Sequence, residues 1–293
     1  MSVPAAYLGI ILIWSTTPLA IKWSSEGVGF LFGVTARMAI AVVLCLVLVR
    51  LLRIAFPWNR VARRTYFVAG LGLYGAMMAV YWGAQYISSG LVSVVYGLLP
   101  LVTTLLATLW LKQGRLDGTK LTGVALALGG LVVIFDPRVE PEFATLLGIG
   151  GVLLSTLLHA ISMLGVQRFG AHLHPLAVTT GGLSIAVPLY LLTCVLVNEP
   201  WPQVIPQQSL NAILYLSVMG SVVGFVLFYY VLKNMAADVI ALITLITPVC
   251  ALGLGHFLNG EVLEVNVLIG TAFILLGLMV HHWGSHLRLA LTR

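Results

Sequence analysis

The sequence predicts an all-α membrane protein of ten transmembrane helices arranged as two inverted five-helix repeats, and three observations lead there. Of its 293 residues, 60% are hydrophobic and only 8% are charged, too little charge to clothe a water-exposed surface. Apolar stretches long enough for spans of about 20 residues follow one another with the charges between them. The second half of the chain repeats the first in outline.

The same composition leaves little chain for a soluble domain. A net charge of +6 would suit nucleic acid in a soluble protein, but here Lys and Arg gather in short loops, where they report topology. Cys45, Cys194 and Cys250 each stand alone in an apolar run and read as small core residues, since no even set could staple a secreted fold.

The first span, 4 to 24, has no cationic n-region and no small-x-small cleavage site, so it reads as a retained helix and not as a signal peptide. It carries Trp14, Ser15, Thr16 and Thr17 before Pro18. Span 2, 30 to 52, holds Arg37 about 10 Å inside its outer end at 1.5 Å per residue. Span 3, 65 to 87, ends in Tyr81, Trp82, Gln85 and Tyr86, and only Ser88, Ser89 and Gly90 separate it from span 4, 91 to 111, with Tyr96 and Pro100. Span 5 covers 118 to 136; span 6, 145 to 168, places His159 near mid-membrane; span 7 covers 174 to 197. Span 8, 210 to 232, contains Phe225, Tyr229 and Tyr230. Span 9, 237 to 258, opens at Asp238, which reads as a helix N-cap, and carries Thr244 and Pro248. Span 10, 265 to 286, closes with His281, His282 and His286. The last two have the i, i+4 spacing of a metal pair, but with no nearby acid or cysteine they read as interfacial.

Loops on one side hold 12 of the 15 basic residues, from Arg50, Arg53, Arg60, Arg63 and Arg64 through Lys112, Arg115, Lys120, Arg168 and Lys233 to Arg288 and Arg293. The opposite loops hold Arg138. The positive-inside rule therefore predicts that both termini are cytoplasmic, and Glu26, Asp136, Glu140, Glu142, Glu199, Glu261 and Glu264 on the other side agree.

The repeat sets 88 to 111 against 236 to 258, with Pro100 over Pro248 and Tyr81 over Tyr229. Further on, Gly123 and Gly130 fall on Gly270 and Gly277, and 35 to 42 agrees weakly with 180 to 187. The first repeat then occupies 1–140 and the second 141–293. Five spans is an odd number, so the second copy enters the membrane from the opposite face. Inverted repeats build two related gates around a midplane site, the arrangement of many secondary carriers.

ILIWSTTPLAIK (11 to 22), TARMAIA (35 to 41), the Pro100 helix with its following LKQGRLDGTKLTG, TPVCALGLGHFLNGEVL (247 to 263) and IGTAFILLG (269 to 277) together resemble the EamA-type ten-span members of the drug/metabolite transporter superfamily. The likeness covers nearly the whole chain and rests on the order and two-fold repetition of these segments. It implies a basket in which spans 1, 3, 4, 6, 8 and 9 surround a central cavity while spans 5 and 10 are peripheral. It also implies export of amino acids or related small metabolites across a bacterial inner membrane, with no cofactor. One departure is Gly114 where the second half has Glu261, a position at which the resemblance implies an acid; a role needing paired acids would not fit, whereas a turn-capping role would.

Polar and aromatic residues inside spans are the candidates for a substrate path. Trp14, Ser15 and Thr17 beside Pro18 fit either a local break that exposes backbone or a kink whose hydroxyls bond back to their own helix. Pro100 and Pro248 occupy symmetric positions as hinge residues, and Tyr96 and Thr244 lie one turn before them, facing the expected cavity. Tyr81 and Gln85 share a face at i, i+4, and Tyr229 is the repeat partner of Tyr81. Such an aromatic wall suits zwitterionic or aromatic solutes, whereas Tyr86 and Tyr230 near span ends fit the interfacial belt. Arg37 would attract a substrate carboxylate or pair structurally, and Lys22 would pair with Glu26 or snorkel outward. His159 could carry a proton or sit neutral and hydrogen-bonded. No Asp or Glu lies at the centre of a span, so both facilitated diffusion and weak proton coupling fit.

The expected function is inner-membrane export of amino acids or similar metabolites by alternating access, with multidrug or organic-cation efflux as the alternative within transport. An intramembrane hydrolase would need Ser221 and His159 to meet. The expected partners are a small-molecule substrate and the lipid bilayer, without metal or nucleic acid, and a ten-span basket can be complete as a monomer.

Overall fold

The computed structural model describes the backbone of residues 2–110, 112, 117–135, 143–170, 172–198, 200–235 and 237–291, with side chains outside the description at 135, 225, 229, 232–233, 237–241 and 285–291. Of the residues singled out above, Gly114, Arg115, Asp136, Arg138, Glu140, Glu142, Glu199 and Arg293 lie outside the described residues. So do the side chains of Phe225, Tyr229, Lys233, Asp238, His286 and Arg288.

Among the described residues every regular element is helical. The helices are α1 (Val3–Trp23), α2 (Phe30–Leu51), α3 (Arg60–Gly83), α4 (Ser89–Tyr96), α5 (Leu99–Leu109), α6 (Gly118–Phe135), α7 (Phe143–Gly170), α8 (Pro175–Val197), α9 (Gln207–Tyr215), α10 (Gly224–Asn234), α11 (Ala237–Asn259) and α12 (Val265–Leu291), with a π-helical segment, Leu216–Val223, joining α9 to α10. Nine stretches of described residues are long and apolar enough to cross a membrane, α4–α5 and α9–π–α10 each counting as one. The expected span 5 appears as α6, whose apolar part falls short of that length.

The local causes are visible in the chain. Pro4 sits in the first turn of α1, where its missing N–H is no loss. Asn59 caps α3 by accepting from the Ala62 amide at 2.8 Å, and Ser88 caps α4 by accepting from Leu91 at 3.2 Å. The two expected proline hinges differ. At Pro248 the helix α11 runs through unbroken. At Pro100 the span divides: α4 ends at Tyr96, Gly97 and Leu98 make tight i→i+3 bonds, and Pro100 lies in the first turn of α5. The two spans also differ three residues before the proline. Gly97 stands where the second half has Leu245, and a Cβ on Gly97 would come within 3.0 Å of the Val94 carbonyl and 3.5 Å of Pro248 Cγ. α1 likewise continues through Pro18, so no break opens there.

The helices pair in a mirrored way. α1 lies against α10 and α11, and α7 against α3, α4 and α5; α2 touches α9 and the π segment, and α8 touches α3; α2 with α8, α4 with α11 and α6 with α12 pack directly. α6 and α12 run antiparallel through a seam of glycines, Gly123 on Gly277 and Gly130 on Gly270, where any Cβ would stand 2.5–2.6 Å from the opposing carbonyl oxygen. Leu12, Val43, Val47, Leu128, Val132 and Leu192 point outward and are exposed, as expected of side chains that meet lipid. The core, which includes Val34, Met38, Tyr81, Ile149, Tyr190 and Leu216, gathers helices of both halves.

Candidate functional site

The most unusual residue in the core is Arg37, two turns inside the apolar helix α2 and only 5% exposed. An arginine at the centre of a span costs on the order of 2.5–3.5 kcal/mol on insertion scales, so its contacts are informative. Nε donates to Ser221 Oγ at 3.2 Å and Nη1 to Tyr81 OH at 3.3 Å. Among the described residues no carboxylate lies within ion-pair distance, and Nη2 makes no hydrogen bond. A neutral shell therefore holds the cation.

Both acceptors are set by the helices that carry them. Tyr81 is fully buried near the end of α3. Ser221 and Ser217 belong to the π segment, and Ser217 Oγ donates to the Arg37 carbonyl at 3.2 Å as well as to its own helix at Ile213 O, 2.7 Å. The wider π turn brings Ser217, Gly220 and Ser221 together against α2, the kind of local irregularity that recurs at functional sites.

The other expected residues have contacts of their own. Tyr96 packs edge-on to His159 with ring centroids 6.0 Å apart. Its hydroxyl is buried without a hydrogen bond of good geometry; beside it Ser155 donates to the Ala76 carbonyl at 2.6 Å and keeps its oxygen lone pairs for a further donor. Ser15 is 2% exposed and its hydroxyl is also unpartnered. Thr17 bonds back to Ile13 O at 2.6 Å, the kink-stabilising alternative. Trp14 is half-buried against Phe228, centroids 5.1 Å apart, in the α1–α10 contact. Thr244 is half-buried in α11.

Two pairings expected from spacing do not form. Gln85 does not share a face with Tyr81, because α3 ends at Gly83; Gln85 is exposed in the following turn and donates to Trp82 O at 3.3 Å. Lys22 does not pair with Glu26. It reaches Glu261 at 3.7 Å and donates to Ile87 O at 3.2 Å, since the turn after α11 folds over the end of α1. The Tyr229 side chain, the expected partner of Tyr81, lies outside the described residues.

Ser217 and Tyr190 were not legible as site residues. The signal for the serine was the i, i+4 pair Ser217 and Ser221 around Gly220, which looks like ordinary back-bonding until the third dimension is known. Tyr190 donates to Leu73 O at 3.1 Å and tethers α8 to α3. Ser221 meets Arg37, and His159 meets Tyr96; the pairing a serine hydrolase would need is not formed. A cleft of about 240 Å³ between α2 and α8 is lined by apolar residues such as Phe32, Ala36, Leu191 and Trp201, and Arg37 does not line it.

Comparison with known proteins adds the family. The chain matches the EamA-like transporter family twice, over residues 3–136 and 146–281. It is 27% identical over 276 residues to an uncharacterized transporter of Archaeoglobus fulgidus, covering 92% of this chain and 95% of that one. It is 23% identical over 277 residues to a protein of Streptantibioticus cattleyicolor named a probable terminal-alkyne amino-acid exporter, covering 92% and 90%. A solved crystal structure superposes with a TM-score of 0.66 over 97% of this chain and 98% of that chain, at 20% identity, a likeness of fold alone.

Proposed function

The chain belongs to the EamA-like transporter family, and from that premise we propose that it is a bacterial inner-membrane secondary transporter that exports amino acids or related small metabolites by alternating access. The observation that carries this reading is the polar cluster around Arg37. Side chains from α2, α3 and the π segment, drawn from both halves of the chain, converge on a buried charge inside an apolar bundle. A structural anchor has no use for so costly a feature, whereas a carrier needs one place that holds a polar solute at mid-membrane.

Alternating access is supported by the symmetry of the packing. In the repeat, Gly123 corresponds to Gly270 and Gly130 to Gly277. The two seam contacts, Gly123 with Gly277 and Gly130 with Gly270, exchange under that correspondence, as a two-fold axis in the membrane plane requires. The mirrored helix neighbours and the double family match point the same way and favour repeats over 1–140 and 141–293. Cytoplasmic termini rest on the loop charges. The amino-acid class draws on the relative named an amino-acid exporter. Trp14, Tyr96, His159 and Thr244 are proposed to line the path, with Pro18, Pro100 and Pro248 shaping its helices.

The test is uptake of labelled amino acids and other small metabolites into proteoliposomes of the purified protein, with and without an imposed pH gradient. Equilibration without the gradient makes the protein a facilitator and sets His159 aside as a proton carrier. Accumulation only with the gradient makes His159 the first residue to replace. No movement of any solute by folded protein overturns the reading.

A further inference from the structure

We infer that Arg37 is the seat of a carboxylate site that reads the carboxylate alone, so that the substrate's amine is not required for binding. This rests on the transporter reading and names the ligand chemistry of its site.

The first ground is an uncompensated charge. The acidic side chains described are Glu26, Asp117, Glu261 and Glu264; the first, second and fourth stand in loops, and Glu261 is taken up by Lys22. A buried guanidinium without a fixed counter-ion is stabilised when an anion arrives, and its planar fork matches a carboxylate.

The second ground is direction. Nε and Nη1 are engaged by hydroxyls, while Nη2 has its hydrogens unused and faces Gly220, where a Cβ would stand 3.2 Å away. The glycine leaves room beside the nitrogen whose two N–H groups are both unused.

A third and independent ground is Tyr96. Its buried hydroxyl makes no hydrogen bond of good geometry. A buried hydroxyl normally has a partner, and a carboxylate that reached Tyr96 would supply one by accepting from it. The same inventory offers an ammonium group aromatic faces and hydroxyls but no opposite charge. No described carboxylate faces the cluster, so a zwitterion gains at its carboxylate and not at its amine.

Matched ligands separate these contributions. The experiment measures thermal stabilisation of purified protein by propionate, alanine and ethylamine, and by 3-phenylpropionate, phenylalanine and phenethylamine. Within at least one series the des-amino acid is expected to stabilise at least as strongly as the amino acid, and the amine not at all. Arg37→Gln should abolish the effect. Gly220→Ala, which keeps the charge but narrows the approach to Nη2, should weaken carboxylate binding several-fold, so a poorly folding Arg37→Gln would not end the test. Stabilisation by the amines, binding of the amino acids without the des-amino acids, unchanged affinity in both variants, or no stabilisation by any of the six overturns the inference. Binding is read without transport. Carboxylates that bind but never move sink the transporter reading alone, and transport of amines without carboxylate binding sinks the carboxylate site alone.

Discussion

At the scale of single residues, the Arg37 side chain has two side-chain acceptors, Ser221 and Tyr81. Ser221 is the acceptor for Nε, so Ser221→Ala leaves a buried charged donor without a partner. Such a loss costs about 1–3 kcal/mol, and the variant should melt at a lower temperature than the wild type, whereas Ser221→Thr should recover part of the difference. Equal melting of all three would mean that the bond contributes nothing. Outside the membrane, Asp117 accepts from the Lys120 amide at 2.9 Å and from Thr119 Oγ1 at 2.8 Å. These bonds, the backbone one first, hold its carboxyl below the usual range. A lowered acid contributes above its unfolded value and loses that contribution as pH falls through the lowered one. Protection of the Lys120 amide against exchange should therefore drop in acid, and a flat profile would show that the cap does not hold α6. Arg37 was legible in the sequence because a charge interrupts an apolar run. Its partners were not, since serines four residues apart look the same whether they bond to their own helix or to an arginine 184 positions away.

At the scale of elements, hydropathy located the spans because length and apolarity are local properties, and it missed what happens within them. Nothing in LSVMGSVV announces a π segment. The symmetric prolines suggest symmetric hinges, yet one span breaks at Gly97 and Leu98 while the other runs on through its proline. The i, i+4 rule placed Gln85 beside Tyr81 only while the helix lasted, and it stops at Gly83. The α6–α12 seam, by contrast, follows from glycines seven residues apart. There Gly130→Ala would press a methyl group within 2.5 Å of the Gly270 carbonyl oxygen, and overpacking of this kind costs about 1–3 kcal/mol. Its neighbour Gly129 has nothing within 4 Å of an added Cβ, and Gly129→Ala should be neutral or gain about 0.5–1 kcal/mol from helix propensity. Thermal melting of the two variants should diverge in sign, and matching losses would refute the seam.

At the scale of the whole molecule, the two halves are tied together at the end of the bundle away from the termini by one carboxylate. Glu261, 8% exposed, accepts from Ser89 N at 3.0 Å, Ser89 Oγ at 2.9 Å, Gly90 N at 3.3 Å and Asn259 Nδ2 at 3.0 Å, with Lys22 Nζ at 3.7 Å. It caps the start of α4, where free amides and the helix dipole favour a negative charge, and Gly255 makes room for it, since a Cβ there would collide with Oε2. Trp23 Nε1 donates to Asn259 Oδ1 at 2.9 Å and closes the same seam. The sequence offered Lys22 a nearer acid in Glu26, and only the fold brings Glu261 across. A carrier that alternates must part these elements to open this side, so Glu261 should act as its latch. Removing the charge while keeping the shape, Glu261→Gln, weakens the ion pair and the cap together. With Ser15→Cys as a buried reporter, in a background lacking Cys45, Cys194 and Cys250, a membrane-impermeant maleimide applied from this side should react several-fold faster in the Gln variant, with labelling from the termini side unchanged or slower. Equal rates from both sides would mean that the halves part elsewhere, and faster labelling from both sides would mean general loosening and not a gate.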